Sequence, residues 1–517
     1  MTSGGPGTAA SAASSRISDI PRRWASATPD GVAVREEGEA VTFGQLWHNI
    51  EAAIAFLQGR GVGLGDRVMI VTENCTASIT LLFALSEIGA WPAVVNARLS
   101  EREIESIRAH CRPRLMIFTH SVSPDAVRHG VNYRAREITP PGLGPLMEAA
   151  LDAESPREPE ALARQVALLI YTSGTTGQPK GVMATHRGLM HFARVSARSR
   201  DLSPRDCSYA VMPISHIFGL ATVLLGTFEA GASLMLFARF KPEDVLHGLA
   251  DGTVTILQGV PTMFARILAY LRDHPQPVRA PALRYVYTGG GPVEATLKRE
   301  VEATFGQPLH HGYGMTEYAG SVFITRMERP RNDVSCGEIV EGAELRVVGA
   351  DGRDVPTGEP GELWVRGPGV MHGYYRSPEQ TAEALREGGW LNTGDIGRLG
   401  SDGALFVVGR SNDLIIRSGF NVYPIEVESV VNSHPAVKQS AVIGRRTADN
   451  NEEIVAFVEV RPGHLLDVAE LQEFLKPRLS AFKRPSHVLL LDRMPFSASG
   501  KLLKQRLRAL ADEALVS

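Results

Sequence analysis

Cysteine is scarce in this 517-residue sequence: Cys75, Cys111, Cys207 and Cys336 are scattered, with no CxxC pair and no His/Cys cluster at metal spacing. That excludes a disulfide framework and a zinc site and suits a reducing cytoplasm. An excess of one charge is missing too. With 54 basic and 57 acidic side chains the formal charge is -3, so no general field attracts nucleic acid or an anionic membrane. The opening MTSGGPGTAASAASS has neither a basic n-region nor an apolar h-region, and residues 1–15 read as a disordered tail instead of a signal peptide. Long hydrophobic runs are absent except for one uncharged window, Cys207 to Phe228. Pro213, Ser215, His216, Gly219 and Gly226 interrupt it, so it reads as a buried strand, loop and helix and not as a membrane span.

What is present is enough apolar material for more than one core: 44% of the residues are hydrophobic, over a length well above that of a usual domain. Thr42 and Gln45 stand at capping-box spacing, followed by Leu46, Ile50, Ala53, Ile54 and Leu57 along one helical face. The strand-like DRVMIVTEN and the helix-compatible ASITLLFALSEIGA come next, and the alternation runs to about residue 290. It predicts parallel sheets covered by helices, an α/β fold. From about 337 to 410 short alternating segments (ELRVV, ELWVR, ALFVV) separated by ADG, PTGEPGE and SDG predict a β-rich subdomain. Residues 411–517 read as a small α+β unit with its own core. Pro424 opens a helix, QSAVIG and EIVAFVEV are strands, and Asp467 with Glu470 caps a helix whose stripe is Leu471, Phe474, Leu475 and Leu479. The predicted division is a tail (1–15), a large unit (16–410) and a small C-terminal unit (411–517). No internal repeat is evident.

The stretch YTSGTTGQPKGV, Tyr171 to Val182, follows the apolar run VALLI and has little in it that can pack. Glycines let backbone N–H groups converge on an anion, hydroxyls add donors and a lysine adds charge, so the stretch is suited to phosphate. It is not a Walker A loop, because Pro179 stands where its second glycine belongs and Gly181 where its Ser or Thr would bind magnesium.

This stretch resembles the phosphate-binding motif of the adenylate-forming superfamily, which includes acyl-CoA synthetases, luciferases and the adenylation domains of peptide synthetases. PISHIFG, YTGGGP, YGMTE, LNTGDIG, GRSNDLIIRSGFNVYPIEVE and PFSASGK follow in matching order, so the resemblance spans roughly residues 20 to 510. It implies a large N-terminal domain, a small mobile C-terminal domain and a ligase of two steps. A carboxylate attacks the α-phosphorus of ATP, giving an acyl-adenylate and pyrophosphate; CoA then takes the acyl group and AMP leaves. ATP and CoA are the implied co-substrates, a small carboxylic acid the third substrate, and Mg²⁺ the implied cofactor. Neither a nucleic acid nor a membrane is among the implied partners, and assembly as a homodimer is left open.

Residue by residue, the resemblance places Thr172, Ser173, Gly174, Thr175, Thr176, Gly177 and Lys180 on the β- and γ-phosphates, Thr316 on the α-phosphate and Glu317 beside Mg²⁺. Gly289, Gly290, Gly291 and Pro292 would wall one side of adenine. Tyr313, between Gly312 and Gly314, would lay its ring against the other, His311 and Gly312 would contact the adenine edge, and Met315 belongs to the nucleotide set. Asp395 would accept both ribose hydroxyls beside Arg410, and Asn421 belongs to the nucleotide set. Lys501 would carry the first step by reaching both the carboxylate and the α-phosphate. His216 would orient the acyl group in a pocket with Ile217, Tyr287 and Gly289. Asn412 falls at the hinge about which the C-terminal domain turns, and Ser418 and Gly419 fall along the pantetheine channel. Asparagine at the hinge and serine at 418 depart from the family's usual residues. No tryptophan stands near YGMTE to close the acyl pocket, which favours an acid larger than acetate. Arg284 carries no assignment. Two rival readings stay open: an adenylating enzyme that loads a carrier protein, and a non-catalytic nucleotide-binding relative.

Overall fold

The computed structural model describes residues 15–150, 155–173, 179–417, 420–447, 452–496 and 502–515. The first long helix, α1 (Phe43–Gly59), begins as expected. Thr42 accepts from the Gln45 amide and the Gln45 side chain returns the bond, while Leu46, Ile50, Ala53 and Leu57 are buried and Ile54 is half-buried.

The expected parallel strands divide between two sheets. In a seven-stranded sheet, Arg67–Thr72 pairs in parallel with Trp91–Asn96 and Leu115–Phe118. One edge of that sheet is the antiparallel hairpin of β1 (Val166–Ser173) and β2 (Pro179–Thr185), which flanks the Gly/Ser/Thr stretch and leads into helix α2 (His186–Ser199). A nine-stranded sheet pairs β3 (Ile256–Gly259), β4 (Tyr285–Gly289) and β5 (Leu309–Met315) in parallel, then turns antiparallel at β6 (Gly320–Ile324). The antiparallel edges are additions to the expected parallel strands. Short turns can join only antiparallel neighbours, and both edges are hairpins that carry candidate site residues.

The uncharged window folds as the buried strand Cys207–Ala210, a π-helix (Phe218–Leu225) and one short helical turn. Its two glycines permit close approach. A Cβ at Gly219 would lie 2.1 Å from the Pro213 carbonyl, and one at Gly226 would lie 2.2 Å from Ser196 Oγ. Among the described residues no helix is long and apolar enough to cross a membrane.

The β-rich stretch forms a five-stranded sheet of entirely antiparallel pairs, including β7 (Trp390–Leu399) and β8 (Leu405–Arg410). Beyond it, Val437–Arg446, Glu452–Val460 and His487–Leu491 make a three-stranded sheet. It is covered by α3 (Pro424–Asn432), by Val468–Leu475 and by α4 (Lys504–Leu515), over a separate apolar core. The Val468–Leu475 helix ends one turn short of the expected stripe. Leu471 and Leu475 are buried on it, Phe474 is half-buried, and Leu479 is buried from the loop beyond. Asp467 caps it by accepting from the Ala469 amide.

Candidate active site

Hairpin register puts Thr172 opposite Lys180 and Ser173 opposite Pro179. Gly174, Thr175, Thr176 and Gly177 lie outside the described residues, as does the Ser173 side chain. Lys180 therefore stands on β2 at the foot of the loop, with Nζ 5.0 Å from the centre of the Tyr374 ring. The Tyr374 hydroxyl donates to Glu317 Oε1 at 2.9 Å. Backbone bonds fix this contact: residues 372–375 run beside β2, with the Tyr375 amide on the Gly181 carbonyl (2.7 Å) and the Met183 amide on the Gly373 carbonyl (3.0 Å). The Met371 amide bonds the Glu317 carbonyl at 2.8 Å. Lys180 and Glu317, far apart in sequence, are thus joined through one tyrosine. Burial, and then the charge of Glu317, push the Tyr374 hydroxyl up, so it stays a donor. Sequence reasoning missed Tyr374; its HGYYRS context matches no motif, and only the β2 pairing singles it out.

Asp395 and Arg410 are direct cross-strand partners on β7 and β8. Arg410 Nε lies 2.9 Å from Asp395 Oδ1, and the Tyr313 hydroxyl donates to Oδ2 at 2.7 Å. Both carboxylate oxygens are oriented in this way. Asp395's charge raises the Arg410 guanidinium, and burial, then Asp395, raise the Tyr313 phenol. The Tyr313 hydroxyl thus positions Asp395.

His311 is buried, its Nε2 3.3 Å from the Gly291 carbonyl and its Nδ1 3.8 Å from Cys336 Sγ. Burial lowers its proton affinity and the ring is neutral. Its side chain ties the GGGP turn, with Gly290 at φ 76°, to β5. Thr316 is buried and Met315 half-buried at the end of β5. Gly312 and Gly314 are required by contact. A Cβ at Gly312 would lie 2.1 Å from Tyr287 Oη, and one at Gly314 would lie 2.3 Å from the Gly320 carbonyl.

Of the acyl-pocket set, Ile217, Tyr287 and Gly289 are buried, and His216 is exposed with Nδ1 accepting from the Phe218 amide at 3.2 Å. Exposure rules out a core histidine. Arg284 is spoken for by Asp206, with two bonds of 2.7 Å. Asn412 lies in the turn Ser411–Asp413 right after β8. Asn421 pairs with Ile416 across a small hairpin, its side chain outside the described residues. Ser418, Gly419 and Lys501 are also outside the described residues. Phe496 and Leu502, which bracket the Lys501 loop, form an antiparallel bridge that closes its ends. Among the described residues no cluster of His, Cys, Asp and Glu is fit to hold a metal alone.

The Lys180–Tyr374–Glu317 cluster beside the β1–β2 hairpin and the Asp395–Arg410 pair on the antiparallel strands β7 and β8 are thus both carried by a chain of α/β architecture. Residues 21–375 match the AMP-binding enzyme family and residues 426–501 match the AMP-binding enzyme C-terminal domain. The chain belongs to the AMP-binding enzyme family. It is 36% identical to a feruloyl-CoA synthase of Amycolatopsis sp, over 94% of this chain and 97% of that one. It is 33% identical to a 2-succinylbenzoate–CoA ligase of Geobacillus kaustophilus, over 93% and 96%. The solved structure of ATP-bound MatB from Rhodopseudomonas palustris is 28% identical, with a TM-score of 0.85 over 96% of this chain and 99% of that one; the apo form of MatB scores 0.75 over the same shares. The expected class, an AMP-forming ligase of carboxylic acids and CoA, is borne out.

Proposed function

We propose that the described clusters are the two nucleotide-holding arms of this ligase. The observation that carries the reading is the Lys180–Tyr374–Glu317 chain, which brings a cation and an oxygen ligand to one end of the phosphate hairpin. Two anions, an acid and a triphosphate, must meet there, and fixed cations and donors lower the repulsion in the transition state. Lys180, Thr172, Ser173, Thr175 and Thr176, with the backbone of Gly174 and Gly177, hold the β- and γ-phosphates. Thr316 contacts the α-phosphate, and Asp395 with Arg410 holds the ribose. Adenine lies between the GGGP turn and Tyr313. A single carboxylate such as Glu317 fits Mg²⁺, which takes most of its ligands from phosphate and water and dehydrates reluctantly. When bound, the ion supplies charge neutralisation at the phosphates; Tyr374 keeps the Glu317 carboxylate aimed.

The acid's carboxylate oxygen bonds the α-phosphorus as the bond to pyrophosphate breaks, with Lys501 between the two anions. In the second step the CoA sulfur bonds the acyl carbon, the thiol proton is lost, and AMP leaves. The Lys501 loop would block the thiol's path in the first arrangement, so we place a swivel at Asn412 between units 16–410 and 411–517, with Ser418 and Gly419 reaching the thiol channel. Four free, buried cysteines suit a cytoplasmic enzyme. Lys501→Ala tests the reading. Pyrophosphate release on adding acid and ATP is expected to fall more than about a hundredfold with nucleotide binding nearly unchanged. Unaltered pyrophosphate output rejects Lys501's role.

A further inference from the structure

Behind Tyr287 lies a cation that meets no carboxylate among the described residues. Arg200 directly follows α2 and is 0% exposed. Its Nη1 donates to the Thr222 carbonyl (3.2 Å) and to Gln258 Oε1 (2.7 Å), its Nη2 donates to Ser196 Oγ (2.5 Å), and its guanidinium carbon lies 5.4 Å from the Tyr287 ring centre. Among the described residues these contacts are all to neutral groups. Arg200 Nε has no hydrogen-bond partner among the described residues, and neither has Nε2 of Gln258. A buried guanidinium with spare donors and a buried amide with spare donors therefore stand side by side. Taking such a charge out of water is costly unless an acceptor meets it, and an apolar side chain would fill the same volume without that cost. Orphaned buried donors in a native fold call for an occupant.

The position of the pair names the occupant. Gln258 and Tyr287 are register partners on β3 and β4, so they share one face of the sheet. Thr222 belongs to the π-helix, whose first residue, Phe218, meets the Tyr287 ring edge-on at 5.9 Å. The other end of Tyr287 touches the nucleotide side. Its hydroxyl is 3.3 Å from Ser321 Oγ, and a Cβ at Gly312 would lie 2.1 Å from it. Tyr287 is thus the partition between the reacting end of the site and the Arg200–Gln258 pair.

Resting on the ligase reading above, we infer that the acyl pocket selects acids that carry a second oxygen function, a carboxylate or a hydroxyl, at the end remote from the reacting carboxylate. Arg200 and Gln258 receive that oxygen, and rotation of the Tyr287 ring admits it. A hydrocarbon tail in the same place leaves both donors unpaired. Sites built to hydrogen-bond a polar group reject analogues that lack it far more strongly than apolar pockets discriminate by size.

The test measures pyrophosphate release by the full-length enzyme with ATP and Mg²⁺ on acids of matched length: hexanoate, 6-hydroxyhexanoate and adipate, and 3-phenylpropanoate with its ring 4-hydroxy and 4-carboxy forms. Wild-type kcat/KM for an oxygen-ended acid is expected to exceed that of its hydrocarbon partner by about a hundredfold or more. The hydroxyl and carboxylate arms tell which oxygen the site prefers. In Gln258→Leu the ratio is expected to fall at least tenfold, chiefly through a higher KM for the oxygen-ended acid, while Arg200→Lys keeps part of the preference. Equal turnover of both acids by the wild type, or a ratio unmoved in Gln258→Leu, overturns the inference and leaves the pair as a hydrated structural contact. Should Arg200→Lys fail to fold, the wild-type panel and Gln258→Leu decide. Absence of pyrophosphate with every acid sinks the ligase reading itself, a result distinct from turnover without preference.

Discussion

Tyr374 shows how a single residue can couple parts of a site that sequence motifs treat separately. Its ring lies against Lys180 and its hydroxyl holds Glu317, so Tyr374→Phe keeps the first contact and deletes the second. A hydrogen bond to a charged acceptor is worth about 1.5–3 kcal/mol. We expect Tyr374→Phe to lower the rate of pyrophosphate release about 10- to 100-fold, with a higher Mg²⁺ requirement and little change in melting temperature. An unchanged Mg²⁺ dependence would detach Tyr374 from Glu317's role. The residue types at Lys180, Glu317, Asp395 and Arg410 were legible because each sits in a motif. Tyr374, Arg200 and Gln258 were not, since nothing local distinguishes a tyrosine after glycine, an arginine after a helix or a glutamine in a strand.

Elements bring their own titration. His186 at the start of α2 and His310 on β5 are both buried. His186 Nδ1 accepts from the Ile17 amide at 3.3 Å; His310 stacks on Tyr285 with ring centres 4.4 Å apart. Burial pushes their proton affinities down, to about 3 for His186 and about 4 for His310. An unfolded histidine binds its proton near pH ~6.5, so the unfolded chain takes up more protons below that value. The contribution is therefore complete above about pH 6.5 and is lost progressively as the pH falls toward 4 and below. Thermal melting between pH 7.5 and 4.5 should show the drop, and His310→Gln should flatten it; an equal slope in the variant would reject the assignment. At this scale α1 was readable from Thr42, Gln45 and the 3-4 spacing, because capping and amphipathicity are local. The π-helix was not: a run of Phe, Leu, Val and Ala is compatible with any buried helix, and the close approach of Pro213 to Gly219 and of Ser196 to Gly226 is seen only in the tertiary structure.

For the whole molecule the proposed swivel at Asn412 makes a prediction. In the present arrangement Asn432 of α3 donates to Glu294, just after the GGGP turn, and Lys504 of α4 bonds Asp413 at 2.9 Å, one residue past the proposed swivel. The Glu294 contact joins the two units, so the proposed swivel would break it. The TM-score is higher with ATP-bound than with apo MatB, 0.85 against 0.75, and on the proposed two-step reading the present arrangement is assigned to adenylation. Glu294→Ala should then slow pyrophosphate release about two- to tenfold, from a bond worth about 0.5–1.5 kcal/mol, and leave CoA transfer from preformed acyl-adenylate unchanged. Slowing of the second step alone would reverse the assignment. By itself the sequence determined the α/β class and the order of motifs, because glycine loops, caps and hydrophobic periods act over a few residues whatever surrounds them; the ligase chemistry followed from the family resemblance that those motifs carry. Only the tertiary structure decided which charges meet, that Tyr374 links Lys180 to Glu317 and that Arg200 is buried with no carboxylate beside it among the described residues. Such pairings depend on strand register and packing between segments far apart in the chain, and no local pattern encodes them.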